Sequence, residues 1–83
     1  MEYKLVIPRK VQKDLDKIDG RYRSRITAAL VSLGNNPLLG KKLDGEYEGQ
    51  RSYEVWPYRI IYEILTTKLV ILIIRIGHRQ GVY

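Results

Sequence analysis

Apolar and polar residues alternate at the start of the chain, where Tyr3, Leu5 and Ile7 interleave with Glu2, Lys4 and Val6 across residues 1–7. A period of two is that of a half-buried strand. Pro8 cannot continue a ladder, but its fixed φ suits the first turn of a helix. Over residues 8–18 the apolar positions are Val11, Leu15 and Ile18, spaced i, i+4, i+7, with Lys10, Lys13, Asp14 and Lys17 left to solvent. That spacing makes one helical stripe, and Asp19-Gly20 closes it as a helix end and tight turn. Tyr22, Ile26, Ala29, Leu30 and Leu33 share a second stripe over about residues 21–33, stopped by Gly34-Asn35-Asn36-Pro37. So short a turn between the two predicts an antiparallel helix hairpin.

Residues 37–50 (PLLGKKLDGEYEGQ) hold three glycines and the Lys41-Lys42 pair, which predicts an exposed, mobile connection. Strand-like segments follow at 51–56, 58–65 and 69–76, with turns at Pro57 and at Thr66-Thr67-Lys68. Residues 69–76 (LVILIIRI) are apolar on both faces, which predicts a central strand covered on each side. The order is strand, helix, helix, then three antiparallel strands. That predicts a single α+β domain over residues 1–83, with the helix hairpin packed on one face of a mostly antiparallel sheet. Side chains of the last three strands and of the tail GHRQGVY (77–83) are expected to converge on the face the helices leave open.

Composition changes this picture in three ways. The 83 residues contain no cysteine, which excludes a disulfide framework and a thiolate metal site, and a single histidine, which excludes a His-rich one. No run is long enough to span a bilayer and no leader-like segment opens the chain, so a cytoplasmic protein without a membrane role is expected. Fifteen Lys and Arg against nine Asp and Glu leave a formal charge of +6, which suits a polyanionic partner: nucleic acid or an acidic protein.

Three stretches resemble toxins of the RelE/ParE superfamily, the toxin half of bacterial and archaeal toxin–antitoxin pairs. They are LGKKLDGEYEG (39–49), PYRIIYEI (57–64) and IGHRQGVY (76–83), in family order and spacing. The first resembles the leucine-lysine-glycine segment before the family's second strand. The second is similar to its tyrosine-arginine strand, and the third to its closing glycine-histidine-arginine and terminal tyrosine. The resemblance implies a RelE-like fold and a ribosome-dependent endoribonuclease that cuts mRNA and is neutralised by a cognate antitoxin. The superfamily's gyrase-inhibiting ParE branch shares the fold without the ribonuclease set, and a degenerate RNA-binding module is a further alternative.

Cleavage of RNA without metal or cofactor needs a base for the 2′-OH, cations for the charge growing on phosphorus-bound oxygens, and an acid for the departing 5′-oxygen. Arg59 stands at the family's central arginine, and its planar fork suits two phosphate oxygens; a salt bridge to Glu63 or Glu54 is the plain structural alternative. Arg79 is the second cation. His78 is an acid or base near neutral pH, and Tyr83 matches the tyrosine that orients a base or assists proton transfer. Where RelE-type toxins carry basic residues on the preceding strand, this chain has Ser52 and Glu54, which moves the general-base role toward Glu54 with His78 as acid; an ion pair within the sheet is the other use of Glu54. Lys41, Lys42 and Arg51, with Arg21, Arg23 and Arg25 of the second helix, are candidate phosphate contacts to RNA. Trp56 and the tyrosines are candidate stacking platforms or core residues.

Overall fold

A computed structural model describes residues 3–82. Its elements follow the expected order, with one addition: β1 (Lys4–Val6), α1 (Arg9–Asp16), α2 (Gly20–Asn35), β2 (Lys41–Lys42), β3 (Arg51–Val55), β4 (Tyr58–Leu65) and β5 (Val70–His78). Among the described residues the sheet has five strands in the order β1-β5-β4-β3-β2. β1 runs parallel to β5, and the remaining neighbours are antiparallel. The helices pack on one face, as their stripes require.

Periodicity accounts for the core. Val11 and Leu15 of α1 and Ile26, Ala29, Leu30 and Leu33 of α2 meet Ile60, Tyr62, Ile71, Ile73 and Ile76 of the sheet in one buried cluster. Burying an aliphatic side chain of this size is worth about 1.5–3 kcal/mol, so the cluster supplies most of what holds so small a domain together. Asp19 caps α2 by accepting the Arg21 backbone N–H at 2.9 Å. These bonds, with the Arg21 guanidinium beside it, hold the Asp19 carboxyl below its ordinary range. At the other end of α2, the Gly34 C=O accepts the Tyr3 N–H at 2.9 Å. A Cβ on Gly34 would stand 3.4 Å from the Tyr3 C=O, so the glycine lets α2 lie close against the chain entering β1.

Two sequence expectations are corrected, and the structure adds a register shift. Residues 37–50 are not a plain mobile loop, because they contain two short 3-10 turns (Pro37–Leu39 and Gly45–Tyr47) and the edge strand β2. The β5 segment is not covered on each side. Leu72, paired with Glu63 on the helix-free face, is only half-buried, and β1 borders β5 along Val70–Leu72 alone. Finally, the β4–β5 register slips between Ile61 and Tyr62: Ile61 faces Arg75 whereas Tyr62 faces Ile73, leaving Ile74 as an unpaired bulge residue. Because strand side chains alternate, one extra residue exchanges the faces of everything beyond it. Ile76 and His78 therefore join the helix side, and Arg75 and Gly77 the open side.

Tyr62 ties the core to the β2 edge. Its buried O–H donates to the Pro37 C=O at 2.6 Å, and its oxygen accepts the Gly40 N–H at 2.9 Å. Arg51 Nη1 donates to the Gly40 C=O at 2.6 Å. A Cβ on Gly40 would fall 2.5 Å from the Tyr62 oxygen, so only glycine fits. Tyr62→Phe strands a buried N–H and C=O and is expected to cost about 1–3 kcal/mol, read as a lower urea midpoint. Burial also raises the Tyr62 phenol pKa above its ordinary value of 10.0. Above that pH the unfolded chain gives up a proton that the folded chain retains, so the stability contribution present below pH 10 is lost as pH rises further. Denaturation at alkaline pH is expected to show this loss in the wild type and a smaller one in Tyr62→Phe.

Candidate active site on the open sheet face

The helix-free face carries an open cleft of about 490 Å³ lined by Leu39, Lys41, Leu43, Ser52, Tyr53, Glu54 and Arg59. Its floor follows from register. Glu54 faces Arg59 across β3 and β4, Ser52 faces Ile61, and Lys41 faces Ser52 across β2 and β3. Cross-strand partners share a face, so Lys41, Ser52, Glu54 and Arg59 all project to the open side. The Arg59 guanidinium lies 3.7 Å from the Glu54 carboxylate, and both side chains keep contact with solvent. Of the two acids within reach in the sequence, Glu54 is therefore the one that meets Arg59 in an ion pair. A carboxylate beside a guanidinium, with a lysine on the adjoining strand, can take a proton and hold an anionic group within one small cleft.

The tail returns to this face. After β5 the Arg79 N–H donates to the Pro57 C=O at 2.9 Å, and the Gly81 N–H donates to the His78 C=O at 2.9 Å, which turns the chain. Val82 is then buried against Gly77: a Cβ on Gly77 would stand 3.5 Å from a Val82 methyl. Gly77 is the cross-strand partner of Arg59, so the end of the tail lies on the same side of the sheet as the cleft. Arg79 is exposed at the turn. Tyr83, expected to orient the substrate, lies outside the described residues.

The other candidates are placed elsewhere. His78 was expected to converge with Arg59; it instead pairs with Tyr58 and presents its ring edge to that tyrosine at 5.9 Å, on the helix side of the sheet. Tyr58 in turn packs on the helix-side core and on Tyr22 of α2. The bulge at Ile74 puts His78 there. Arg51 faces Tyr62 rather than the cleft, and its guanidinium holds the Gly40 carbonyl. Lys42 faces Arg51, so of the lysine pair it is Lys41 that enters the cleft. Arg23 is occupied as well: its Nη1 donates to the Asp16 and Ile18 carbonyls at 3.2 Å each, closing the end of α1.

Sequence reasoning passed over the apolar cleft wall of Leu39 and Leu43. Their signal was present but indistinct, because leucines in a glycine-rich polar stretch read equally well as loop anchors. Among the described residues no cluster of three metal-ligating side chains occurs, and no helix is long and apolar enough to cross a membrane.

Comparison with known proteins agrees with this architecture. The solved RelBE2 toxin–antitoxin complex of Mycobacterium tuberculosis contains a chain 28% identical to this one, with a TM-score of 0.87 over 95% of this chain and 100% of that chain. The RelB–RelE antitoxin–toxin complex of Methanococcus jannaschii matches at 26% identity and a TM-score of 0.72, covering 92% of each chain. A variant of the E. coli toxin RelE in the free state shares the fold, with 23% identity and a TM-score of 0.82 over 98% of this chain and 87% of that chain. A search of curated proteins finds no match. The family model described as the ParE toxin of type II toxin–antitoxin systems matches residues 5–83. The chain belongs to that family, and with it to the RelE/ParE superfamily of type II toxin–antitoxin toxins.

Proposed function

We propose that this toxin is a ribosome-dependent endoribonuclease that cuts mRNA in the cytoplasm, stops translation and is neutralised by a cognate antitoxin. The observation that carries the reading is the Glu54–Arg59 pair, 3.7 Å apart on the cleft floor beside Lys41. In the proposed step the Glu54 carboxylate removes the 2′-OH proton, and O2′ bonds to the adjacent phosphorus as the P–O5′ bond breaks. The products are a 2′,3′-cyclic phosphate and a 5′-OH end. Arg59 releases Glu54 to the substrate and binds the phosphate oxygens as their charge grows, with Lys41 reaching a neighbouring phosphate. Arg79 is assigned to the phosphate oxygens, and Tyr83 to orienting the nucleotide and giving the departing O5′ its proton, which the phenol regains from solvent. His78 has no part in this step, since it stands on the opposite side of the sheet. The antitoxin follows from family membership and from the antitoxin-bound relatives.

A second reading, a non-enzymatic inhibitor of DNA gyrase, is favoured by the name of the matching family model. In that case the cleft residues form a protein interface rather than a catalytic floor.

Primer extension on a reporter mRNA after brief induction separates the two. Discrete new 5′ ends inside translated codons are expected with the wild type and not when translation is blocked. Glu54→Gln is expected to slow their appearance about 100-fold or more, in the range of a lost general base, and Arg59→Ala by a similar factor. Growth arrest with intact mRNA, undiminished in an Arg59→Ala, Arg79→Ala double variant, would sink the ribonuclease reading. A half-exposed ion pair contributes about 0–1 kcal/mol, so Glu54→Gln is expected to leave the urea midpoint nearly unchanged while slowing cleavage by that factor.

A further inference from the structure

His78, displaced from the cleft side, belongs to a second constellation on the helix side. Its ring meets Tyr58 edge-on at 5.9 Å, and Tyr58 meets Tyr22 of α2 at 5.6 Å with the rings tilted by 58°. The Arg21 and Arg25 guanidinium carbons lie 5.4 Å and 5.9 Å from the centre of the Tyr22 ring. The row Arg21/Arg25–Tyr22–Tyr58–His78 thus crosses three elements. His78 ends the row and is exposed.

Stability alone does not explain this row. His78 is exposed, and the Arg21 side chain is 80% exposed, so their burial adds little. The acid that meets the row is Asp19, 3.4 Å from Arg21; among the described residues Arg25 forms no ion pair. No aliphatic side chain belongs to the row, and an apolar protein segment would find only rings and cations. Aromatic faces with guanidinium groups beside them suit a single strand of nucleic acid. Bases stack on rings at about 1–3 kcal/mol each, and the cations take the intervening phosphates. A double helix, read through its backbone and minor groove, gains nothing from exposed rings at this spacing.

We propose that the row Arg21–Tyr22–Arg25–Tyr58–His78 is a second RNA-binding surface that takes a single-stranded stretch on the side of the sheet opposite the cleft. The inference extends the RNA-directed reading given above, but it does not depend on chemistry at Glu54. Functionally it would anchor the toxin on RNA by one face while the other face works on the scissile bond.

The test uses the full-length toxin and a short fluorescent 2′-O-methyl RNA, which cannot be cut by 2′-OH attack, so binding is read apart from cleavage. Anisotropy titrations across a salt series compare the wild type with Arg21→Gln/Arg25→Gln and with His78→Ala, each checked for folding by circular dichroism and for capture of the antitoxin. The double variant is expected to bind about 10-fold more weakly and to lose about 1.4 from the slope of log affinity against log salt, the share of two single-strand phosphates. His78→Ala is expected to weaken binding about 5-fold or more, as for a lost stack. Wild-type binding that never saturates, variants that bind within twofold of the wild type, or variants that keep RNA but lose the antitoxin would each overturn the proposal. The mRNA cleavage assay runs in parallel. Ridge-dependent binding without any cleavage would remove the ribonuclease reading and leave the ridge, whereas cleavage with ridge-independent binding would do the reverse.

Discussion

Pairing of β4 with β5 slips by one residue at Ile61/Tyr62, and the slip sorts the candidate site residues between the two faces of the sheet. Up to Ile73 the apolar residues of β5 point to the helices at every second position. Ile74 is then passed over, and Ile76 takes the inward place. Continued regular alternation would have turned Arg75 into the helix core, where an unpaired charge costs several kcal/mol. The bulge avoids that cost: it sends Arg75 and Gly77 to the open face and brings Ile76 into the core. It also decides that Arg59 and His78, on neighbouring strands and near one another in the sheet, never share a side.

The second constraint is the Tyr62 hydroxyl. It lies inside the core yet holds Pro37 and Gly40 by their backbones, so the segment leading to β2 is fixed from beneath. Arg51 secures the same glycine through its carbonyl. Lys41 follows Gly40 directly, and its place on the cleft rim is therefore set by a buried phenol on a different strand. Core packing and cleft geometry meet at these few atoms, and a residue that looks purely structural supports a lysine that lines the cleft.

Most of the fold was legible in the sequence because it rests on periodicity. The stripes at Val11/Leu15 and at Ile26/Ala29/Leu30/Leu33 are long enough to repeat, and they lie where the pattern placed them. β2 was not legible: two lysines carry no periodicity, and the pairing with β3 that makes them a strand is a tertiary fact. The bulge was equally silent, since Ile74 is an isoleucine among isoleucines. Of the candidate site, Arg59, Glu54 and Lys41 share a cleft, whereas Arg51, Lys42 and His78 face the other way. Charge marks a residue as available for RNA without saying which side of a strand it occupies, and only register supplies that. The two faces accordingly divide into a small acid–base cleft and a broader aromatic and cationic row.

The central claim is that the open face cuts RNA by activating the substrate's own 2′-OH. The most direct measurement places a single 2′-deoxynucleotide at the cut position of a message translated in a purified system with the toxin present. If Glu54 and Arg59 act as proposed, that message stays intact at the modified position while an all-ribose control is cut there and leaves a 2′,3′-cyclic phosphate. Cleavage of the deoxy-substituted message at the control rate would contradict the claim, because a nucleophile other than the 2′-OH would then be at work.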